Sequence, residues 1–294
     1  MTLITLPDGR HLDIAVSGPP GGVPLIYHHG TPGALAQNRV MQRDAWDRGL
    51  RLVTFSRPGY GDSTRKPGRK VLDVAADVEA LLDHLEEERC LVLGHSGGGP
   101  HALATAAALP GRVAAVAASC SLAPYDTPGF DFLSEMGDQN IKEFGLALQG
   151  EAAVRPALEA DAVAMRRPDA VDAVRAMLTS LLSDEERTAM SLDAEGGPAE
   201  ELAGQWAHAL RDGVDGWLDD DLAFVRPWGF DLIAIQVPCF IWHGAADRVV
   251  PPSHGRRLSE QMPNSLLRML PDKGHLMVQL DGIGAMVDEL LTTL

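Results

Sequence analysis

The sequence predicts an α/β fold, a mostly parallel sheet flanked by helices, with a helical insertion in the middle of the chain. Short apolar runs, helical periods between them, and a central stretch of different pattern and charge carry that prediction. Residues 11–17, 23–28, 50–56, 90–94, 113–119 and 238–243 are short runs rich in Val, Leu, Ile and Ala. Several are almost wholly apolar, as expected of strands covered on both faces. Between two of them, Val71, Val74, Ala75, Val78, Leu81, Leu82 and Leu85 fall on one face of a 3.6-residue period. Strand and helix alternate, and that order favours parallel pairing through helical crossovers.

The central stretch lacks such strands. It offers helical patterns over 152–165, 170–182 and 199–210, with breaks expected at Pro156, Pro168, 196–198 and Gly213. Charge marks the same boundary. The chain has 294 residues and a formal net charge of -16, and residues 120–236 hold 23 acidic against 8 basic side chains. The flanks are nearly neutral, with 18 acidic and 17 basic residues. The expected division is a core of residues 1–122 and 237–294 with an acidic helical cap over 123–236. Its charge is read either as a solvated helical surface or as a lid that favours cationic substrates.

With 45% hydrophobic and 22% charged residues, the chain can bury a large core. Its negative charge would repel phosphate backbones, so nucleic acid is not an expected partner. Cys90, Cys120 and Cys239 fit no paired metal-ligand or disulfide spacing and read as buried apolar residues in a reducing, cytoplasmic setting. No secretory signal is read in the first residues, and no stretch reaches the roughly 18 apolar residues of a membrane span. Phosphate-cradling Gly-Lys-Ser or Gly-Lys-Thr loops and metal-binding His or Cys motifs are absent, so no cofactor and no metal are expected.

The chemistry is concentrated in three segments. Residues 90–99 read Cys-Leu-Val-Leu-Gly-His-Ser-Gly-Gly-Gly, an apolar strand running into G-x-S-x-G and then an alanine-rich helix. A serine at such a strand-to-helix turn sits in a strained backbone, with glycines leaving room for the neighbouring chain. The Gly97 amide, at the start of that helix, is placed to donate to an oxyanion. Asp247 lies in a turn after the run 240–244, and His275 in a loop before the last helix. The order Ser96, Asp247, His275 is that of nucleophile, acid and base. His254 is expected to begin the helix of residues 253–262 and to cap or solvate it. His95 is expected to point to the other side of the turn, while His28 and His243 fall in strands where packing is the simpler role.

Together these residues resemble the α/β-hydrolase family over both flanks. His29-Gly30-Thr31-Pro32-Gly33 is similar to that family's H-G-x-P loop, and the resemblance implies that the Thr31 amide joins Gly97 in the oxyanion hole, with Thr31–Pro32 a candidate cis peptide. Residues 56–63, Ser-Arg-Pro-Gly-Tyr-Gly-Asp-Ser, are similar to a turn of the family and are read as structural. The resemblance also implies a helical cap inserted after the sixth strand, here after Ser119. Candidate substrate contacts are His29, His95, Trp206, Trp217 and Trp228, with Met136, Met165, Met177 and Met190 filling an adaptable apolar roof.

Epoxide hydrolases and haloalkane dehalogenases of the family place an aspartate where Ser96 stands, so an acyl-enzyme is expected instead. The expected activity is hydrolysis of a carboxylic ester or amide of a small-molecule substrate, with oligomeric state left open. Three alternatives stand beside it. Proline iminopeptidases share a loop like H-G-x-P-G and use acidic cap residues, but carry tryptophan where this chain has Gly97. The family also hosts cofactor-free peroxidation and carbon-carbon bond hydrolysis, and some members act as small-molecule receptors.

Overall fold

The computed structural model of the chain describes residues 2–35, 38–167, 170–181, 198–276, 278 and 281–294. One sheet is formed by β1 (Thr2–Thr5), β2 (His11–Ser17), β3 (Val23–His28), β4 (Leu50–Phe55), β5 (Cys90–His95), β6 (Val113–Ser119), β7 (Cys239–Gly244) and β8 (Ser265–Leu270). Their spatial order is β1-β2-β4-β3-β5-β6-β7-β8. β2 is antiparallel to both β1 and β4, and every other pairing is parallel. The alternating strands and helices of the sequence therefore yield a mostly parallel sheet with an antiparallel edge. β1 escaped the apolar-run reading because Ile4 is its one buried residue. Pairing with β2, from Thr2 opposite Ile14 to Thr5 opposite His11, defines it.

Helices α1 (Arg39–Asp47), α2 (Val74–His84), α3 (Gly98–Ala108), α9 (Pro252–Gln261) and α10 (Gly284–Leu291) cover the two faces of the sheet, while α4 (Asp138–Ala147), α5 (Glu151–Met165), α6 (Ala170–Leu181), α7 (Pro198–Ala209) and α8 (Asp215–Phe224) follow one another between β6 and β7. Successive strand residues point to opposite faces. Leu25, Tyr27, Leu91 and Leu93 accordingly pack with Met41 of α1 and Val287 and Leu290 of α10. Ile26, Val92 and Val116 pack on the other side with Val78 and Leu81 of α2 and Leu103 of α3. Cys90, Cys120 and Cys239 are buried free thiols. Among the described residues no helix is long and apolar enough to cross a membrane.

Between β6 and β7 the described residues contain α4 to α8 and no strand. The break expected at Pro156 does not occur, since α5 runs through it. Proline there removes one N–H, whose acceptor would be the carbonyl of Ala152. Both residues are exposed, so water replaces that donor. The helix boundaries expected around Pro168 and 196–198 involve residues outside the described ones.

His254 also departs from its expected role. It is fully buried, accepting from Ala123 N–H at Nδ1 (3.0 Å) and donating from Nε2 to the Phe132 carbonyl (3.0 Å). One neutral imidazole thus fastens the segment after β6 to helix α9. Its position at the start of a helix hides this, because both partners lie more than a hundred residues away.

The sheet also fixes where chemistry can occur. β3 and β5 are neighbours, and the chain leaves β3 toward β4 on one side before crossing to β5 on the other. Such a reversal opens a crevice beyond the carboxyl ends of the two strands. Close packing there depends on glycine. A Cβ at Gly94 would lie 2.3 Å from the Gly98 carbonyl, and one at Gly98 would lie 2.1 Å from that of His28. Gly98→Ala should therefore destabilise the fold by about 3 kcal/mol, whereas Gly145→Ala in α4, with open space around its Cβ position, should stabilise it by about 0.5 kcal/mol or more. Urea denaturation of the two variants checks the contrast, and equal effects would contradict it.

Candidate active site

Strand β5 ends at His95 and α3 begins at Gly98, so the chain reverses over two residues. Ser96 takes φ 54, a left-handed conformation that costs a residue with a side chain about 1–2 kcal/mol. Two backbone bonds hold it there: Ser96 N–H donates to the Ser119 carbonyl on β6 (2.8 Å), and Gly99 N–H donates to the Ser96 carbonyl (2.9 Å). The hydroxyl then projects from the carboxyl end of the sheet.

His275, in the loop after β8, brings Nε2 to 2.9 Å from Ser96 Oγ. Its Nδ1 lies 2.8 Å from Asp247 Oδ2. With Nδ1–H donating to the carboxylate, Nε2 is left to accept from the serine hydroxyl. Asp247 sits after β7, where its Oδ1 accepts from the N–H groups of Val249 and Val250, both at 2.9 Å. Burial opposes its ionisation, but His275, His243 and the Val250 N–H outweigh burial and hold the Asp247 carboxyl below its usual range. The three residues singled out by chain order are thus brought into one hydrogen-bonded line.

The loop after β3 faces them. A Cβ at Gly30 would sit 3.5 Å from Ser96 Cβ, and one at Gly97 would collide with Thr31 Oγ1 at 2.3 Å. Residues 30–31 and 96–97 therefore pack directly on one another, and the residue after Ser96 has no room for a side chain. The Thr31–Pro32 peptide is cis. His29 accepts from Arg57 N–H at Nε2 (3.1 Å), so Nδ1 carries its proton and donates to the Gly30 carbonyl (2.7 Å). Burial, then the charge of Arg57, keeps His29 neutral.

Arg57, read from sequence as part of a structural turn, reaches further. It is fully buried and donates to the carbonyls of His29 and Gly30, to Thr31 Oγ1 (3.0 Å) and to Asp220 on α8 (2.6 Å). Asp220 was not singled out at all, yet it is fully buried. The run Asp219-Asp220-Asp221 was the available signal, because three consecutive helical residues span about 200° and cannot all face water. All three are buried, so part of the acidity between β6 and β7 is internal rather than a solvated surface.

Of the residues read as candidate substrate contacts or roof, His29, His95, Met165, Trp206 and Trp217 line the cavity beside Ser96, and Glu143, not singled out from sequence, lines it too. His95 does not turn away from the site: its ring centroid lies 5.1 Å from that of His275. Trp228 is not among the lining residues. It is buried with its indole N–H directed at the Phe224 carbonyl (3.4 Å), and its own carbonyl accepts from Leu72 N–H, so it joins the end of the insertion to the core. Met136 is buried in the core, while Met190 and the side chain of Met177 fall outside the described residues. Trp217 Nε1–H donates to Glu143 Oε1 (2.9 Å). Burial pushes the Glu143 carboxyl up to about 7, and Asp221, buried beside it, is raised by burial and by the charges of Glu143 and Asp220.

Comparison with known proteins places the fold in a family. The family model for the alpha/beta hydrolase fold matches residues 23–281. The chain is 30% identical, over 97% of its length and 67% of the relative's, to the dihydrolipoyllysine-residue acetyltransferase component of the acetoin cleaving system of Pseudomonas putida. It is 28% identical to a proline iminopeptidase of Xanthomonas citri, over 95% of this chain and 92% of that one. Several other curated relatives are matched over only 36% to 42% of their own length. Among solved structures, an esterase from Thermogutta terrifontis superposes with a TM-score of 0.71 at 20% identity, covering 99% of this chain and 98% of that one.

The buried histidines set the acid response of the fold. Burial lowers His28, His29 and His243, and takes His95 and His254 to about 3 and His101 to about 4. In the unfolded chain each protonates near 6.5. Between about pH 6.5 and 4 the unfolded state therefore binds more protons, and stability falls on acidification by roughly 1.4 kcal/mol per pH unit for each histidine still neutral. Glu143 and Asp221 act in the opposite sense, but two carboxyls do not offset six imidazoles. Denaturation free energies at pH 7.5, 6 and 5 should drop steeply below 6.5, and a flat profile would refute the neutral, buried imidazoles.

Proposed function

The chain belongs to the α/β-hydrolase family, and from that premise we propose that it hydrolyses a carboxylic ester or amide of a small molecule through an acyl-enzyme on Ser96. The observation that carries this reading is the line from Ser96 Oγ through His275 (2.9 Å) to Asp247 (2.8 Å). Ser96 Oγ attacks the carbonyl carbon while its proton passes to His275 Nε2. Asp247 keeps the proton on Nδ1 and stabilises the imidazolium. The amides of Gly97 and Thr31 meet the oxyanion, and removal of one such donor costs about 3–4 kcal/mol. His275 then gives its proton to the leaving group, and water, deprotonated by His275, releases the acid. Trp206, Trp217, His29 and His95, which line the cavity, contact the substrate.

A second reading has its own support. Glu143 is a carboxyl in the cavity wall, and a substrate bearing a free amine would pair with its ionised form. The full-length similarity to a proline iminopeptidase favours the same class. Gly97 counts against it as an exact counterpart, because the packing of Thr31 excludes the tryptophan that those enzymes carry after the serine.

Turnover of p-nitrophenyl acetate and of an aminoacyl-p-nitroanilide separates these readings. Ser96→Ala should lower ester turnover by at least about 10⁴-fold with the fold intact. Anilide turnover by the wild type would promote the aminopeptidase reading. Unchanged turnover in Ser96→Ala would remove Ser96 from the mechanism.

A further inference from the structure

The proposed reaction uses Thr31 through its amide, but the amide's direction is set elsewhere. In a trans peptide the carbonyl and the following N–H point to opposite sides. The Gly30 carbonyl receives Arg57 Nη2 (3.0 Å) and His29 Nδ1 (2.7 Å), so the Thr31 N–H faces away from both. Arg57 thereby chooses the side on which that donor stands. What holds Arg57 comes from the insertion. Asp220 Oδ2 on α8 accepts from Arg57 Nη2 (2.6 Å), Tyr60 OH (2.9 Å) and Thr31 Oγ1 (2.7 Å), while its Oδ1 lies 2.7 Å from Arg69 and 3.2 Å from His101 Nε2.

We propose that Asp220 is a positioning residue for acyl transfer: through Arg57 and the Thr31 hydroxyl it fixes the peptide that presents the Thr31 amide to the oxyanion. The assignment rests on the Ser96 acyl-enzyme reading. It makes the oxyanion hole a joint product of core and cap, since one of its two donors is oriented by a carboxylate of helix α8.

Two features separate this from a contact that merely docks the helix. Asp220 bonds the loop itself, through Thr31 Oγ1, as well as the arginine behind it. Its neighbour Asp219 supplies the docking contact for comparison, accepting from Arg65 Nε (2.8 Å) and Nη2 (2.9 Å), with none of its hydrogen bonds or ion pairs reaching residues 29–33. The two aspartates therefore anchor the same helix to the core, but one of them also touches the oxyanion loop. Burial alone would protonate Asp220, yet Arg57 and Arg69 hold its carboxyl well below the usual range, so the clamp carries a carboxylate at neutral pH.

The test measures kcat and KM for p-nitrophenyl acetate and inhibition by phenylboronic acid, whose tetrahedral adduct on Ser96 places an oxygen in the oxyanion hole. The full chain is used throughout, as wild type, Asp220→Asn, Thr31→Val, Thr31→Ser and Asp219→Asn. Asp220→Asn and Thr31→Val should each lower kcat on the order of 10- to 100-fold, with KM within about threefold of wild type. Boronate affinity should fall with kcat/KM, because both report the oxyanion site. Thr31→Ser, which keeps the hydroxyl, should restore kcat, and Asp219→Asn should retain it even with a lower melting temperature. If Asp220→Asn does not fold with two buried guanidiniums unbalanced, the Thr31→Val and Thr31→Ser pair decides alone. Wild-type kcat in Thr31→Val, or equal losses in Asp219→Asn and Asp220→Asn, would overturn the assignment. Wild-type turnover that survives Ser96→Ala would instead overturn the acyl-enzyme reading, and this assignment with it.

Discussion

Ser96 keeps a left-handed backbone because the chain must turn from β5 into α3 within two residues, under the carbonyl of His28 and beside β6. Gly94, Gly97 and Gly98 are the positions where a side chain would strike backbone or Thr31. Everything in the site follows from that constraint. The turn lifts the hydroxyl off the sheet, sets the Gly97 amide at the start of α3, and brings residues 30–31 against 96–97. His275 and Asp247 reach the serine because β7 and β8 are added in parallel on the same side, so their carboxyl ends open toward the same crevice. Strain of about 1–2 kcal/mol at one residue is offset by the backbone bonds and packing that surround it.

A second constraint is buried charge between the core and helix α8. Arg57 and Asp220 are fully buried and Arg69 nearly so, an arrangement stable only while each partner is present. Its value lies less in net stability than in fixed geometry, since the guanidinium of Arg57 spans two carbonyls of one loop and a carboxylate of another element. The neutral histidines around it, His29 and His101, complete the network without adding charge. Acidity in the insertion thus serves two different ends. Asp219, Asp220 and Asp221 are interior, whereas residues such as Glu151, Asp172 and Glu200 remain exposed.

Much of this was legible in the sequence, and the rest was not for identifiable reasons. Ser96 is marked by its local turn, and Asp247 and His275 by their order and by the strands before them; each of these signals spans a few residues. Thr31 came from resemblance to a family loop, since nothing in its own neighbourhood distinguishes it. Arg57 lay in a recognised turn, but its partner Asp220 is 163 residues away and periodicity carries no information about such a pair. His254 misled for the same reason. Trp228 looked like a cavity residue because large aromatic side chains favour both pockets and cores, and only packing decides between them. β1 was missed because an edge strand with one buried residue has no apolar run.

The most direct test of the account is mass spectrometry of the chain after reaction with a fluorophosphonate, which phosphonylates an activated serine. The account predicts one adduct per chain, on the peptide containing Ser96, formed slowly or not at all once His275 is replaced. An unmodified Ser96, or an adduct on another residue with Ser96 free, would contradict it.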